Sequence, residues 1–257
     1  MSVPRFLVSS EALRTDRAVI SGSELHHLRV RRVRIGSPVT LTDGQGQERC
    51  GVLTALGREQ AVVSLTPFRA ARRESRLRLV LAQAVLKADK MDWVIEKATE
   101  LGVAEFIVFV SEHSLGKPSA ERQARWNRIA RSAAKQSQRS VVPAVRGPFS
   151  FQELLLCPVC PGDMRLLFWE GTQRDLPTVP ALTPSSALVA VIGPEGGFTL
   201  EEAARAESSG FHSVTLGPRI LRAETAALVA VSLCQYRWGD LGSRTVVDPA
   251  CAEITTT

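Results

Sequence analysis

The chain has 257 residues, 44% hydrophobic and 23% charged, and its 32 Lys and Arg against 26 Asp and Glu leave a formal net charge of +6. That composition excludes a disordered chain, no apolar run reaches the ~18 residues of a membrane span, and five irregularly spaced Cys exclude a disulfide framework. The positive balance favours an anionic partner, nucleic acid being the commonest, although an Arg-rich proteome would tilt any chain the same way.

The opening segment MSVPRFLVSSEALR has no apolar stretch long enough for a secretory signal, so the expected location is cytoplasmic, with reduced thiols. Residues 1–68 read as β-rich. Val39-Thr40-Leu41-Thr42 followed by Asp43-Gly44 signals a hairpin, residues 50–53 and 61–65 are strand-like, and 24–33 look helical. Short strands with close turns predict a small barrel. The basic stretch RAARRESR, residues 69–76, reads as a linker that divides a domain at 1–72 from one at 73–257. Beyond it strands and helices alternate. Strands are predicted at 77–86, 106–110, 165–169, 188–192 and 213–216, and helices at 91–101, 119–139 and 223–238. Gly102 suits a C-terminal cap, and Thr199 with Glu202 has capping-box spacing at the start of a helix that ends near Gly210. The alternation predicts an α/β fold with a mainly parallel sheet covered by helices. The last helix, with AALVAVSLC, is apolar nearly all round: either a central core helix or one with a second subunit as its other wall. Cys157 and Cys160 lack the second pair or the His that a zinc site needs, and Pro158 and Pro161 put them in a loop, so no metal is expected. The tail beyond Leu241 reads as polar and frayed.

Two stretches carry the chemistry: IGPEGGFT at 192–199 and LGPRILRAETA at 216–226. Each follows an apolar strand and breaks into Gly and Pro before a helix. Such loops are where an open α/β sheet binds its ligand. Glycines let the backbone approach a ligand closely, and prolines lower the entropy lost on binding. Neither stretch matches a P-loop or GxGxxG. What remains is a rigid loop offering N–H and C=O groups to an adenine edge and ribose hydroxyls, or a tight turn with no ligand. Arg222 and Glu224 open the last helix, where a cation opposes the macrodipole; a residue set against local preference points to function. The competing reading leaves Arg222 and Arg219 solvated or paired with Glu195 or Glu224. A stripe of Arg125, Arg128, Arg131, Lys135 and Arg139 at helical spacing suits a phosphate backbone, or a solvated face. His26, His27, Arg29, Arg31, Arg32 and Arg34 form a second basic cluster with the same two readings. No GxSxG or HExxH is present, which argues against the common hydrolases.

HHLRVRRVRIG, KADKMDWVIEKATELGV, AAKQSQRSVVPAV and, most specifically, the C-terminal pair IGPEGGFT then LGPRILRAETA resemble the ribosomal RNA small-subunit methyltransferase E family from about Pro4 to Leu241. The resemblance implies a PUA-like N-terminal barrel, a C-terminal SPOUT domain with a deep trefoil knot, and a homodimer without metal. It implies transfer of a methyl group from S-adenosylmethionine to N3 of a uridine in small-subunit ribosomal RNA; the sequence leaves naked RNA and the assembled subunit both open, the assembled subunit being the expected partner. Carried over, the donor would sit among Phe168, Trp169, Glu170 and Gly171, then Ile192, Gly193, Pro194, Glu195, Gly196 and Gly197, then Leu216, Gly217, Ile220 and Leu221. Arg222 would face the reaction centre. The RNA would lie on His27, Arg29, Arg31, Arg32, Arg34, Arg128, Arg131, Lys135 and Arg139. The chain departs from the family in SEHS, where His113 stands in place of the usual Arg. N3 of uridine carries an imide proton, so the enzyme must align N3, methyl and sulfur and help that proton leave. Arg222 would stabilise the imide anion through a uridine carbonyl, with Glu195, Glu224 or water as the base. An inactive RNA-binding assembly factor and a ribose 2′-OH methyltransferase are the other readings.

Overall fold

The computed structural model describes residues 3–67, 69–70, 74–114, 116–156, 163–178 and 187–242. The Cys157–Cys160 pair, the core of the linker and the tail past residue 242 lie outside them. The chain separates into two compact units: residues up to Glu74 joined by Lys135–Val142, and Ser75–Ala134 joined by Pro143–Ser243.

The first unit holds β1 (Arg5–Leu7), β2 (Arg17–Ser21), α1 (Gly22–Val30), β3 (Pro38–Thr42), β4 (Gln47–Leu56), β5 (Gln60–Leu65) and β6 (Arg69–Ala70). They form one sheet in the order β1-β3-β4-β5-β2, with β6 on β4. Only β1–β3 is parallel. The predicted hairpin joins β3 to β4, closed by Asp43 N–H donating to Gln47 O. Alternate residues of β2, Ala18 and Ile20, enter a core with Phe6, Leu28, Leu41, Leu53 and Val63. Arg49 is buried there, and its guanidinium donates to the carbonyls of Leu13, Thr15 and Thr66 at 2.6–2.8 Å. A buried guanidinium held in this way fixes three loop carbonyls that would otherwise lack partners.

The helix expected at 24–33 ends earlier. Arg32 takes φ +53° and turns the chain, Arg32 N–H donates to Arg29 O, and Val33 N–H to Leu28 O. This is the left-handed helix ending that glycine usually provides. Here an arginine occupies it, with its side chain exposed.

The second unit holds β7 (Arg78–Ala84), α2 (Ala88–Glu100), β8 (Glu105–Val110), α3 (Ala120–Gln136, whose last two residues group with the first unit), β9 (Ala144–Ser150), α4 (Phe151–Leu155), β10 (Met164–Phe168), β11 (Ala187–Ile192), α5 (Leu200–Ser208), β12 (His212–Val214) and α6 (Ala223–Trp238). Its sheet runs β12-β10-β11-β7-β8-β9 and every pair is parallel. β11 is buried throughout: Leu188, Ala190 and Ile192 enter the core under α2, α3 and α6, while Val189 and Val191 enter the one under α4 and α5. Burial on both faces is why the strand reads as a continuous apolar run. The chain builds β7, β8 and β9 in one direction from the centre, then β10, β11 and β12 on the other side. That reversal makes a switch point, and the open edge beside it lies at the carboxyl ends of β10, β11 and β12. The capping box at Thr199 and Glu202 is formed and starts α5.

α6 is not buried all round. Ala223, Ala227, Ala230, Val231 and Cys234 face the core, while Leu233 and Tyr236 are exposed. No helix among the described residues is long and apolar enough to cross a membrane.

Arg32→Gly should raise stability by about 1 kcal/mol, because glycine takes the left-handed conformation without the Cβ clash. Thermal unfolding should move up by about 2–4 °C; a lower midpoint would mean that the Arg32 side chain holds the turn.

Candidate functional site

Strand edges in this sheet end where apolar residues give way to Gly and Pro. Three loops follow: residues 169–171 after β10, 193–198 after β11 and 215–221 after β12. They enclose one cleft, which α6 closes with Ala223 and Ala226. Of the fourteen residues expected at a ligand, all but Gly171 line it; Phe198, Thr215 and Arg219 join them. Gly171 instead backs the Trp169 indole.

The cleft needs its glycines. A Cβ on Gly193 would meet the Phe198 ring at 3.1 Å, one on Gly196 would meet His113 Cβ at 2.8 Å, and one on Gly197 would meet Glu170 Oε1 at 2.8 Å. Gly197 also takes φ +72°. The loop is therefore pressed between neighbours, with its main-chain groups left to face the cleft. Supports come from four sides. Gln83, fully buried at the end of β7, donates through Nε2 to Gly193 O at 3.2 Å. His113 Nδ1 lies 3.0 Å from Gly196 O and 3.2 Å from Gly197 O, so this nitrogen carries the proton. Glu202 accepts from Glu112 N–H at 3.0 Å, which ties the turn after β8 to the start of α5. On the far side, Lys87 N–H donates to Glu195 Oε1 at 3.2 Å.

Lys90, which sequence reasoning passed over, stands between the two carboxylates. Its Nζ is 3.5 Å from Glu195 Oε1 and 3.3 Å from Glu224 Oε2. Partial desolvation works against its charge, but contact with Glu224 and then Glu195 outweighs this and holds the ammonium above the ordinary lysine range. Glu195 and Glu224, both expected as possible bases, are thus engaged by a cation. Glu224 does not line the cleft, and neither does Arg222, whose exposed side chain sits at the N-cap of α6 without capping it. Arg219 does line it.

The basic residues divide. Arg29, Arg31, Arg32 and Arg34 are exposed around the end of α1, with Arg29 also donating to the carbonyls of Gly57 and Arg58 and Arg31 to His27. Arg128 and Arg131 are exposed on α3. Arg125 pairs with Asp92 at 2.7 Å, and Lys135 pairs with Glu24. Arg139 corrects the expected stripe: its side chain is 4% exposed and is held by Glu74, which also accepts from Ser140 and Val141 N–H. A guanidinium enclosed in this way has no face left for a phosphate. Among the described residues no group of three His, Cys, Asp or Glu could hold a metal ion.

The cleft therefore combines apolar walls, main-chain donors and acceptors, and the carboxylate of Glu170 at Gly197. This suits an elongated ligand with a flat ring, hydroxyls and a positive charge.

Comparison with known proteins agrees. The RNA methyltransferase domain family matches residues 73–235, and the RNA methyltransferase PUA domain family matches 20–66. The ribosomal RNA small subunit methyltransferase E of Bacillus subtilis is 33% identical over 85% of this chain and 89% of its own. That of Synechocystis is 34% identical over 89% and 76%. The crystal structure of the Neisseria gonorrhoeae enzyme of that name, bound to S-adenosylmethionine, superposes with TM-score 0.85 at 34% identity over 93% of this chain and 99% of that one. A putative methyltransferase from Legionella pneumophila, also with the bound cofactor, superposes with TM-score 0.82 at 29% identity, over 93% and 100%.

Gly197→Ala should cost about 1–2 kcal/mol from the left-handed backbone alone, since the exposed Glu170 side chain can swing clear of the added Cβ. Calorimetry should show a lower unfolding temperature; an unchanged one would mean the loop is not constrained as described.

Proposed function

The chain belongs to the ribosomal RNA small subunit methyltransferase E family, and from that premise we propose that it moves a methyl group from S-adenosylmethionine to N3 of a uridine in small-subunit ribosomal RNA. The observation that carries the reading is the glycine-walled cleft at the ends of β10, β11 and β12, where a Cβ on Gly196 would press into His113 and the 193–197 loop brings its backbone to the cleft beside the side chains of Phe168, Glu170 and Ile192. When bound, S-adenosylmethionine supplies a methyl group already activated by a sulfonium charge. The main chain of 193–197 and 216–221 takes the adenine edge, and Phe168, Ile192 and Leu221 keep water out. Glu170 offers its carboxylate to the hydroxyls or the positive end of the donor. The three loops are, on this reading, those of a trefoil knot.

Arg222 stands exposed at the start of α6, free to reach a uridine carbonyl and stabilise the imide anion as the N3 proton leaves. With Glu195 and Glu224 both on Lys90, water takes that proton. N3 lies on the Watson–Crick edge, so the uridine is unpaired or flipped out. Residues 1–72 hold RNA phosphates through His27, Arg29, Arg31, Arg32 and Arg34; residues 73–257 add Arg128 and Arg131 and carry the chemistry. The exposed Leu233 and Tyr236 of α6 supply a homodimer face. The substrate is the RNA in the assembled small subunit, in the cytoplasm.

Small subunits lacking the modification should yield 3-methyluridine after incubation with enzyme and donor, read by mass spectrometry of the digested RNA. Arg222→Ala should lower single-turnover methylation by about 10²-fold with donor affinity kept. A ribose-methylated nucleoside would overturn the N3 assignment. An Arg222→Ala enzyme with intact single-turnover methylation would remove that residue from catalysis.

A further inference from the structure

Lys90 does more than occupy Glu195 and Glu224. It projects from the first turn of α2, outside the cleft lining, toward two elements that both line the cleft. Glu195 belongs to the loop after β11. Glu224 belongs to the first turn of α6, flanked by Ala223 and close to Ala226, both of which line the cleft. The three side chains are 14–27% exposed, so the bridge is only partly screened by water. Glu224 Oε2 is buried with no well-formed hydrogen bond, and the ammonium 3.3 Å away is the charge that compensates it. The two carboxylate oxygens facing Lys90 lie no more than about 7 Å apart. Without the cation, two anions would face each other across the seam between the loop and the helix.

We infer that Lys90 is a positioning residue of the methyl-donor cleft: its ammonium ties Glu195 of the 193–197 loop to Glu224 of α6 and so sets the width of the cleft. The backbone N–H of Lys87, at the N-cap of the same helix, also holds Glu195, so the start of α2 acts as the strut. Lys90 touches no reacting atom; it acts through the two glutamates. The inference rests on the cleft being the donor site.

Isothermal titration of the full chain with S-adenosylmethionine tests it. Wild type should bind, and Lys90→Met should bind about tenfold more weakly, because the like charges splay loop from helix. Adding Glu224→Gln, at a residue outside the cleft lining, to Lys90→Met removes the repulsion and should recover most of the loss. A Lys90→Met chain that binds as tightly as wild type overturns the inference. So does a loss that the Gln substitution leaves in place, since Lys90 would then act on the ligand itself. Should Lys90→Met fail to fold, Lys90→Gln removes the same charge with a polar side chain, and unchanged affinity there is equally fatal. Wild type that does not bind overturns the donor-site reading instead, which separates the two failures.

Discussion

A parallel sheet buried on both faces must satisfy its backbone internally along its length and can present free main-chain groups only at its ends. In this chain that constraint falls on β10, β11 and β12, whose carboxyl ends lie side by side next to the switch point of the sheet. Glycines there let the loops crowd together, and main-chain groups share the cleft surface with apolar side chains such as Phe168, Ile192 and Leu221. Gly196 and Gly197 are the clearest cases, the first because His113 Cβ already takes the space for a Cβ, the second because its φ is +72°. The same crowding explains why the loop is gripped from outside, by Gln83, His113 and Lys90, rather than by its own side chains.

Charges of both signs border that cleft. Glu170 lines it, Glu195 lines it with its carboxylate held by Lys90, and Arg219 lines it as well, while Arg222 stands exposed outside the lining at the start of α6. A mixed rim of this kind suits a reaction that brings a sulfonium cation and a polyanion to one point. The cation at the start of α6 opposes the helix macrodipole, and its exposed guanidinium is open to a partner outside the helix. Arg32 makes a parallel case in the other unit, since an arginine takes a backbone conformation that glycine would hold at lower cost.

Much of this was legible in the sequence because burial imposes a pattern. β7, β8, β10 and β11 read as strands since both faces are apolar, and the Thr199–Glu202 spacing marked α5 through its own hydrogen bonds. The cleft was legible from Gly and Pro after such strands. β9 was not, because AVRGPFS carries Gly147-Pro148, which reads as a breaker; as the edge strand of its sheet it can spare the missing N–H. β1 is three residues long and gave no periodicity. Charged residues were least legible. Arg139 and Arg131 look alike in sequence, yet one is sealed against Glu74 and the other is exposed. Lys90 carried no local signal, since its two partners come from distant parts of the chain.

The central claim is that the ends of β10, β11 and β12 bind the methyl donor. Hydrogen–deuterium exchange with and without S-adenosylmethionine tests it most directly. The account predicts slower exchange in 168–171, 193–197 and 216–221, with the basic loop after α1 unchanged. Unchanged exchange in all three segments at saturating donor, or protection confined to another region, would contradict it.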